Sequence, residues 1–150
     1  MLFYAIAIIV VLADQISKIL IRLYINIGDD FLLWGVRLTH YENSGMAGSS
    51  FQGYGRLFGV IAVLFVIGVL YYRRKGELGG AILSSSMGFL VGGAIGNGID
   101  RLLFGQVTDF IIRAGGILNF ADHAIEIGVV LLICHGAVQF GRRIFARLRV

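Results

Sequence analysis

Asp100, Asp109 and Asp122 fall within 23 positions of a chain whose residues are 57% hydrophobic. Two carboxylates held close in a partly desolvated site cannot both ionise easily. They share a proton, and the pair then offers one base and one acid for activating water. Thirteen positions separate Asp109 from Asp122. A hairpin between them closes that gap if Asp122 stands at the entry to a helix, and the result is an apparatus for hydrolysing peptides. The same spacing also suits a turn residue and a helix cap, so spacing alone leaves both readings open.

What has to position these residues is a membrane bundle. Mean hydropathy is +0.84 and only 15% of residues are charged, against about 25% in soluble domains. Four stretches approach the ~20 residues that a bilayer core requires: Leu2 to Ile25, Leu57 to Tyr72, Leu78 to Gly96 and Phe120 to Phe140. No basic segment precedes the first, which is therefore expected to be a retained span and not a cleaved signal peptide. The single cysteine, Cys134, excludes an internal disulfide framework and a thiolate metal cluster; with His135 it is expected to pack within a span. The net charge of +4 comes from basic residues beside apolar segments. They are topology signals, and no nucleic-acid partner is expected.

The connection Arg73 to Glu77 and the tail with Arg142, Arg143, Arg147 and Arg149 predict a cytoplasmic location for both. Both termini are then cytoplasmic. The longer connections, residues 26–56 and 97–119, share the opposite face, with the three aspartates there or at its membrane boundary. Phe31 to Glu42 and Val107 to Phe120 mix apolar, β-branched and polar residues, the second around a Gly-Gly turn, and predict strands. With no proline and no internal repeat, the expectation is a single domain over residues 1–150: an all-α membrane protein of four transmembrane helices with a small extracytoplasmic β-structure.

An ionisable group at the centre of a span costs about 2.5 to 3.5 kcal/mol on insertion scales, so each needs a partner or a task. Asp14 and Lys18 lie four apart on one helix face. They suit either a buried ion pair that orients the first span or a contact to substrate or lipid. Arg22 continues that face, in reach of a lipid phosphate. A small proton-coupled transporter is the alternative function for such intramembrane charges, and a scaffold held by ion pairs is another. A transporter favours mid-membrane carboxylates and inverted repeats, whereas here the carboxylates gather at one face.

In order along the chain stand "DQISK" (Asp14 to Lys18), "ENSGMA" (Glu42 to Ala47), "GGAIGNGIDR" (Gly92 to Arg101), "VTDF" (Val107 to Phe110) and "LNFAD" (Leu118 to Asp122). This series resembles that of bacterial lipoprotein signal peptidase, also called signal peptidase II, over essentially the whole chain. The resemblance implies an aspartyl endopeptidase with Asp109 and Asp122 as its catalytic pair. It would cut the signal peptide from diacylglyceryl-modified prolipoproteins before the lipidated cysteine, at the outer side of the bacterial cytoplasmic membrane, without metal or cofactor. It also implies that Asp14, Lys18, Asn43, Gly45, Asn97, Asp100, Arg101, Asn119 and Ala121 support the pair or line the substrate groove. The expected partners are the prolipoprotein and membrane lipid, and the expected working unit is a monomer.

Adjacent residues do not face each other on a helix, so Asp100 and Arg101 are expected to bind different neighbours, the arginine fixing loop backbone or a carboxylate. The amides of Asn97 and Asn119 suit either loop backbone or substrate peptide. The chain departs from the family pattern at Met46, Gly48 and Phe51 in the first outer loop and at Leu118, and it carries His123 and Glu126 where small or apolar residues are usual. Glu126, one turn from Asp122, suits either added like charge on the pair or an ion pair with His123 or an arginine. Three scattered histidines do not make a metal site.

Overall fold

A computed structural model describes residues 1–46 and 50–147, excluding the side chains of 145 and 147. The expectations at Gly48 and Arg149, and for the side chain of Arg147, lie outside what is described. The order is α1 (Leu2–Tyr24), β1 (Asp30–Leu33), β2 (Val36–Asn43), α2 (Gly55–Arg74), α3 (Ala81–Phe104), β3 (Val107–Arg113), β4 (Gly116–Leu118) and α4 (Phe120–Arg147). All four helices are long and apolar enough to cross a membrane. Their outward faces carry exposed Ile, Leu, Val and Phe, as a lipid-facing surface must.

The helix α3 packs against each of the other three. Gly88, Gly92 and Gly96 recur every fourth residue and form its contact with α1. A Cβ at Gly92 would stand 2.7 Å from that of Val10, and one at Gly96 would stand 2.5 Å from Asp14 Oδ2. Only hydrogen fits there, so backbones approach closely and the interface is driven by packing. On the side toward α4, the buried Ser86 hydroxyl donates to Gly128 O at 2.8 Å.

α3 corrects the sequence boundary. It runs on to Phe104 instead of ending at Gly96, so Asn97, Asp100 and Arg101 stand on the helix and not in an outer connection. The apolar pattern continues through Ile99, Leu102 and Leu103, while the polar residues between find partners inside the bundle. Gly105, at φ 75°, ends the helix with its N–H on Arg101 O at 3.0 Å. Cys134 is corrected as well: it lies exposed on α4, not packed within the bundle.

The strands form one antiparallel sheet in the order β1-β2-β3-β4, and chain connectivity places it at the end of the bundle where α1 and α3 finish and α2 and α4 begin. Leu33 pairs with Val36 across a two-residue turn, Trp34-Gly35, with φ of 50° and 84°. Positive φ at both positions is the type I′ geometry that matches strand twist. The pairing of Asn43 with Val107 and Tyr41 with Asp109 joins the α1–α2 and α3–α4 connections. β3 and β4 then pair Arg113 with Gly116, the expected short hairpin.

Candidate active site

The site begins with a helix start. Asn119 caps α4: its Oδ1 accepts the N–H of Asp122 at 3.0 Å, while Asp122 Oδ2 accepts the N–H of Asn119 at 3.2 Å. This reciprocal pair satisfies two N–H groups that a helix start leaves open. A third, that of Ala121, donates to Asp14 Oδ1 at 2.9 Å. Asp14 thus pins the fourth helix to the first, and Ala121, fully buried, fits because Gly93 and Gly96 face it.

The side chain of Asn119 then reaches across the hairpin. Its Nδ2 donates to Asp109 Oδ1 at 2.6 Å, while Asn43 Nδ2 donates to Asp109 Oδ2 at 3.0 Å. Asp122 Oδ1 accepts from Asn97 Nδ2 at 2.8 Å. Asp109 and Asp122 line one polar cavity of about 10 Å³, room for about one water molecule, with Asn43, Asn97, Arg101 and Asn119. The hairpin therefore brings together the two carboxylates whose spacing suggested it. Burial first, and then the negative charge of Asp122, push the Asp109 carboxyl up from its ordinary 3.8 to about 7, against the amides of Asn43 and Asn119 and the more distant Lys18 charge.

Behind the cavity lies a charge cluster sealed from solvent. Lys18 Nζ is 2.8 Å from Asp14 and 3.1 Å from Asp100, and all three side chains are fully buried. Lys18 also donates to Asn97 Oδ1 at 2.8 Å. Asn97 is therefore a polar link between that ammonium and Asp122, and its amide is used inside the protein. Arg22 pairs with Asp100 at 2.9 Å and donates to Thr108 Oγ1 at 2.6 Å, its guanidinium over the Phe104 ring. Its guanidinium is therefore engaged within the protein. Each buried charge thus has an opposite charge beside it, and Glu42 approaches Arg22 at 3.9 Å from the less buried side, the pairing without which burial would not be tolerable.

Asp100 and Arg101 do bind different neighbours. Asp100 serves Lys18 and Arg22 and accepts the Thr108 N–H at 3.4 Å. Arg101 Nη2 donates to Gly45 O at 3.3 Å and so fixes the loop after β2; its buried Nε has no hydrogen-bond partner among the described residues. Asn43 Oδ1 accepts the Gly45 N–H at 2.9 Å. A Cβ at Gly45 would collide with the Ser50 carbonyl, so this turn of the loop requires glycine. Glu126 meets His123 and Arg113, each at 3.1 Å, at an exposed rim; the ion-pair alternative is the one realised.

Sequence reasoning missed Thr108, Glu42 and His40 as members of this network. Thr108 Oγ1 donates to Glu42 at 2.8 Å, and His40 Nε2 lies 2.9 Å from the same carboxylate oxygen. The available signal was strand alternation. With Asp109 facing the cavity, Thr108 must face the opposite side, toward α1.

A family model described as signal peptidase (SPase) II matches residues 6–138. The lipoprotein signal peptidase of Listeria monocytogenes serotype 4a (strain HCC23) is 35% identical, with 90% of this chain and 92% of that protein covered. The chain belongs to the signal peptidase II family. A Bacillus velezensis lipoprotein signal peptidase is 33% identical over 95% of this chain and 98% of its own length. Signal peptidase II is a peptidase of the aspartic type, and membership overturns the transporter alternative. Among solved structures, a bacterial membrane enzyme determined by the in meso method at 2.3 Å matches with a TM-score of 0.87 and 31% identity, covering 93% of this chain and 90% of that one. A second, determined by the same method at 1.9 Å, matches with a TM-score of 0.79 and 32% identity, covering 89% and 90%.

Proposed function

We propose that this protein removes the signal peptide from diacylglyceryl-modified prolipoproteins, hydrolysing the bond before the lipidated cysteine with Asp109 and Asp122 as its acid and base. The observation that carries the reading is the bridge made by Asn119, which caps the helix of Asp122 and holds the carboxylate of Asp109 beside one small polar cavity. In this reading the shared proton is assigned to Asp109, whose carboxyl burial and the Asp122 charge push up to about 7. Asp122 takes a proton from the water between them as its oxygen attacks the scissile carbonyl. Asp109 donates to the carbonyl oxygen and stabilises the charge that develops there. Collapse of the tetrahedral intermediate returns a proton to the leaving amine and regenerates the pair. The spare Arg101 Nε is placed in this reading as a donor to substrate backbone.

A diacylglyceryl group stays in the bilayer, so the scissile bond has to be met at the membrane boundary, which suits a cavity where the sheet joins the helices. We place that boundary on the outer face of the cytoplasmic membrane, with Arg73, Arg74 and Lys75 and both termini inside. A monomer is the working unit in this proposal. The test is incubation of the purified protein with a diacylglyceryl-modified precursor. Signal-peptide release by the wild type, lost on Asp109→Asn and on Asp122→Asn in proteins that remain folded, is the expected result. Full processing by either variant would sink the assignment.

A further inference from the structure

The β1–β2 hairpin has two unlike faces. Its register sets Phe31 opposite Leu38 and Leu33 opposite Val36 on one face, and Asp30 opposite Thr39 and Leu32 opposite Arg37 on the other. Arg37 and Asp30 make an exposed ion pair at 3.1 Å on that second face. The first face roofs an almost wholly apolar cleft of about 620 Å³, floored by Leu20, Ile21 and Tyr24 of α1. The protein does not close it: Trp34 at the tip is 96% exposed, and Leu33 and Val36 are nearly half exposed. The cleft opens onto the exposed Leu20, Leu23 and Tyr24 of α1, a helix whose outer surface faces lipid. Continuity with that surface identifies the occupant.

We propose that the hairpin is an interfacial anchor: Trp34 sits among the lipid headgroups of the leaflet nearest the sheet, and acyl chains of bulk glycerophospholipid fill the cleft between the hairpin and α1. Tryptophan favours this depth because its ring is apolar and its N–H is polar. Local backbone chemistry does not explain Trp34, since φ of 50° is a conformation that large side chains rarely adopt. The edge-on pair of Phe110 and Phe120, with ring centroids 5.6 Å apart, borders the cleft beside the residues that lead to Asp109 and Asp122. An anchored hairpin thereby fixes the height of the cavity relative to the bilayer. The inference rests on membrane residence and not on the reaction, and precursor cleavage is read separately.

Trp34 is the chain's one tryptophan, so the full protein reports directly on it. In phosphatidylcholine vesicles brominated at shallow or deep acyl carbons, emission should be blue-shifted, quenched roughly twofold or more by the shallow lipid, less by the deep one, and little by aqueous acrylamide. Water-like emission with strong acrylamide quenching and no response to either lipid overturns the proposal. In a Trp34→Ser background, Leu33→Trp should be quenched by lipid more than Leu32→Trp, because the two positions point to opposite faces. Equal quenching would also overturn it.

Discussion

Asn119 donates its side-chain amide to Asp109 at 2.6 Å while its backbone N–H and side-chain oxygen close a capping pair with Asp122. One residue therefore sets both the orientation of the strand carboxylate and the start of the helix that carries the other. Asn119→Ala should lower kcat about 10-fold, the equivalent of one hydrogen bond to a neutral carboxyl at the upper end of its range. KM should change much less. The lost cap adds a destabilisation of about 1 kcal/mol, visible in thermal unfolding in detergent.

The raised Asp109 carboxyl links stability to pH. Folded Asp109 holds its proton up to about 7, whereas the unfolded chain releases it near 3.8. Between those values the folded state binds more protons, so stability falls as pH rises through that window and the loss is complete above it. Asp109→Asn removes this slope. Its Tm should exceed that of the wild type at about pH 8 and differ little at about pH 4. Wild-type activity should also decline as pH rises past about 7, where the pair loses its shared proton.

Lys18 is the fully buried cation between Asp14 and Asp100. Lys18→Met should destabilise the protein by roughly 3–5 kcal/mol, because it leaves buried carboxylates uncompensated. Adding Asp14→Asn should cost less than the sum of the two single changes, since both disrupt one cluster. Chemical or thermal unfolding of the three variants measures this.

Activity should survive a strong chelator. The proposed mechanism needs only the two carboxylates, and among the described residues no three His, Cys, Asp or Glu side chains gather at metal-binding distance. Loss of cleavage with chelator, restored by zinc, would revive a metallopeptidase.

The proposed sidedness is open to labelling. In a chain carrying Cys134→Ser, Gly115→Cys at the β3–β4 turn should react with a membrane-impermeant thiol reagent added to spheroplasts. Gly76→Cys, after the Arg73 to Lys75 cluster, should react only after lysis. The reverse pattern would put the cavity on the cytoplasmic side, away from a precursor that emerges outside.

Hydropathy and motif order made the four spans legible in the sequence, and with them the β-structure and the aspartate pair. These are local properties: a run of apolar side chains has a transfer energy wherever it sits, and Gly-rich turns and alternating strands are written in neighbouring residues. The tertiary structure decided what the polar residues inside the bundle do. A span was expected to end at Gly96 because Asn97, Asp100 and Arg101 are costly in lipid. Lys18, Arg22 and Thr108 on other elements remove that cost for Asn97 and Asp100, Gly45 O takes up Arg101 Nη2, and the helix continues to Phe104. Arg22 looked free to meet lipid until Asp100 was seen to be its partner, and Thr108, Glu42 and His40 are joined only by the pairing of β2 with β3. Such partners lie far apart in sequence, and the free energy of a buried charge is set by what surrounds it in space.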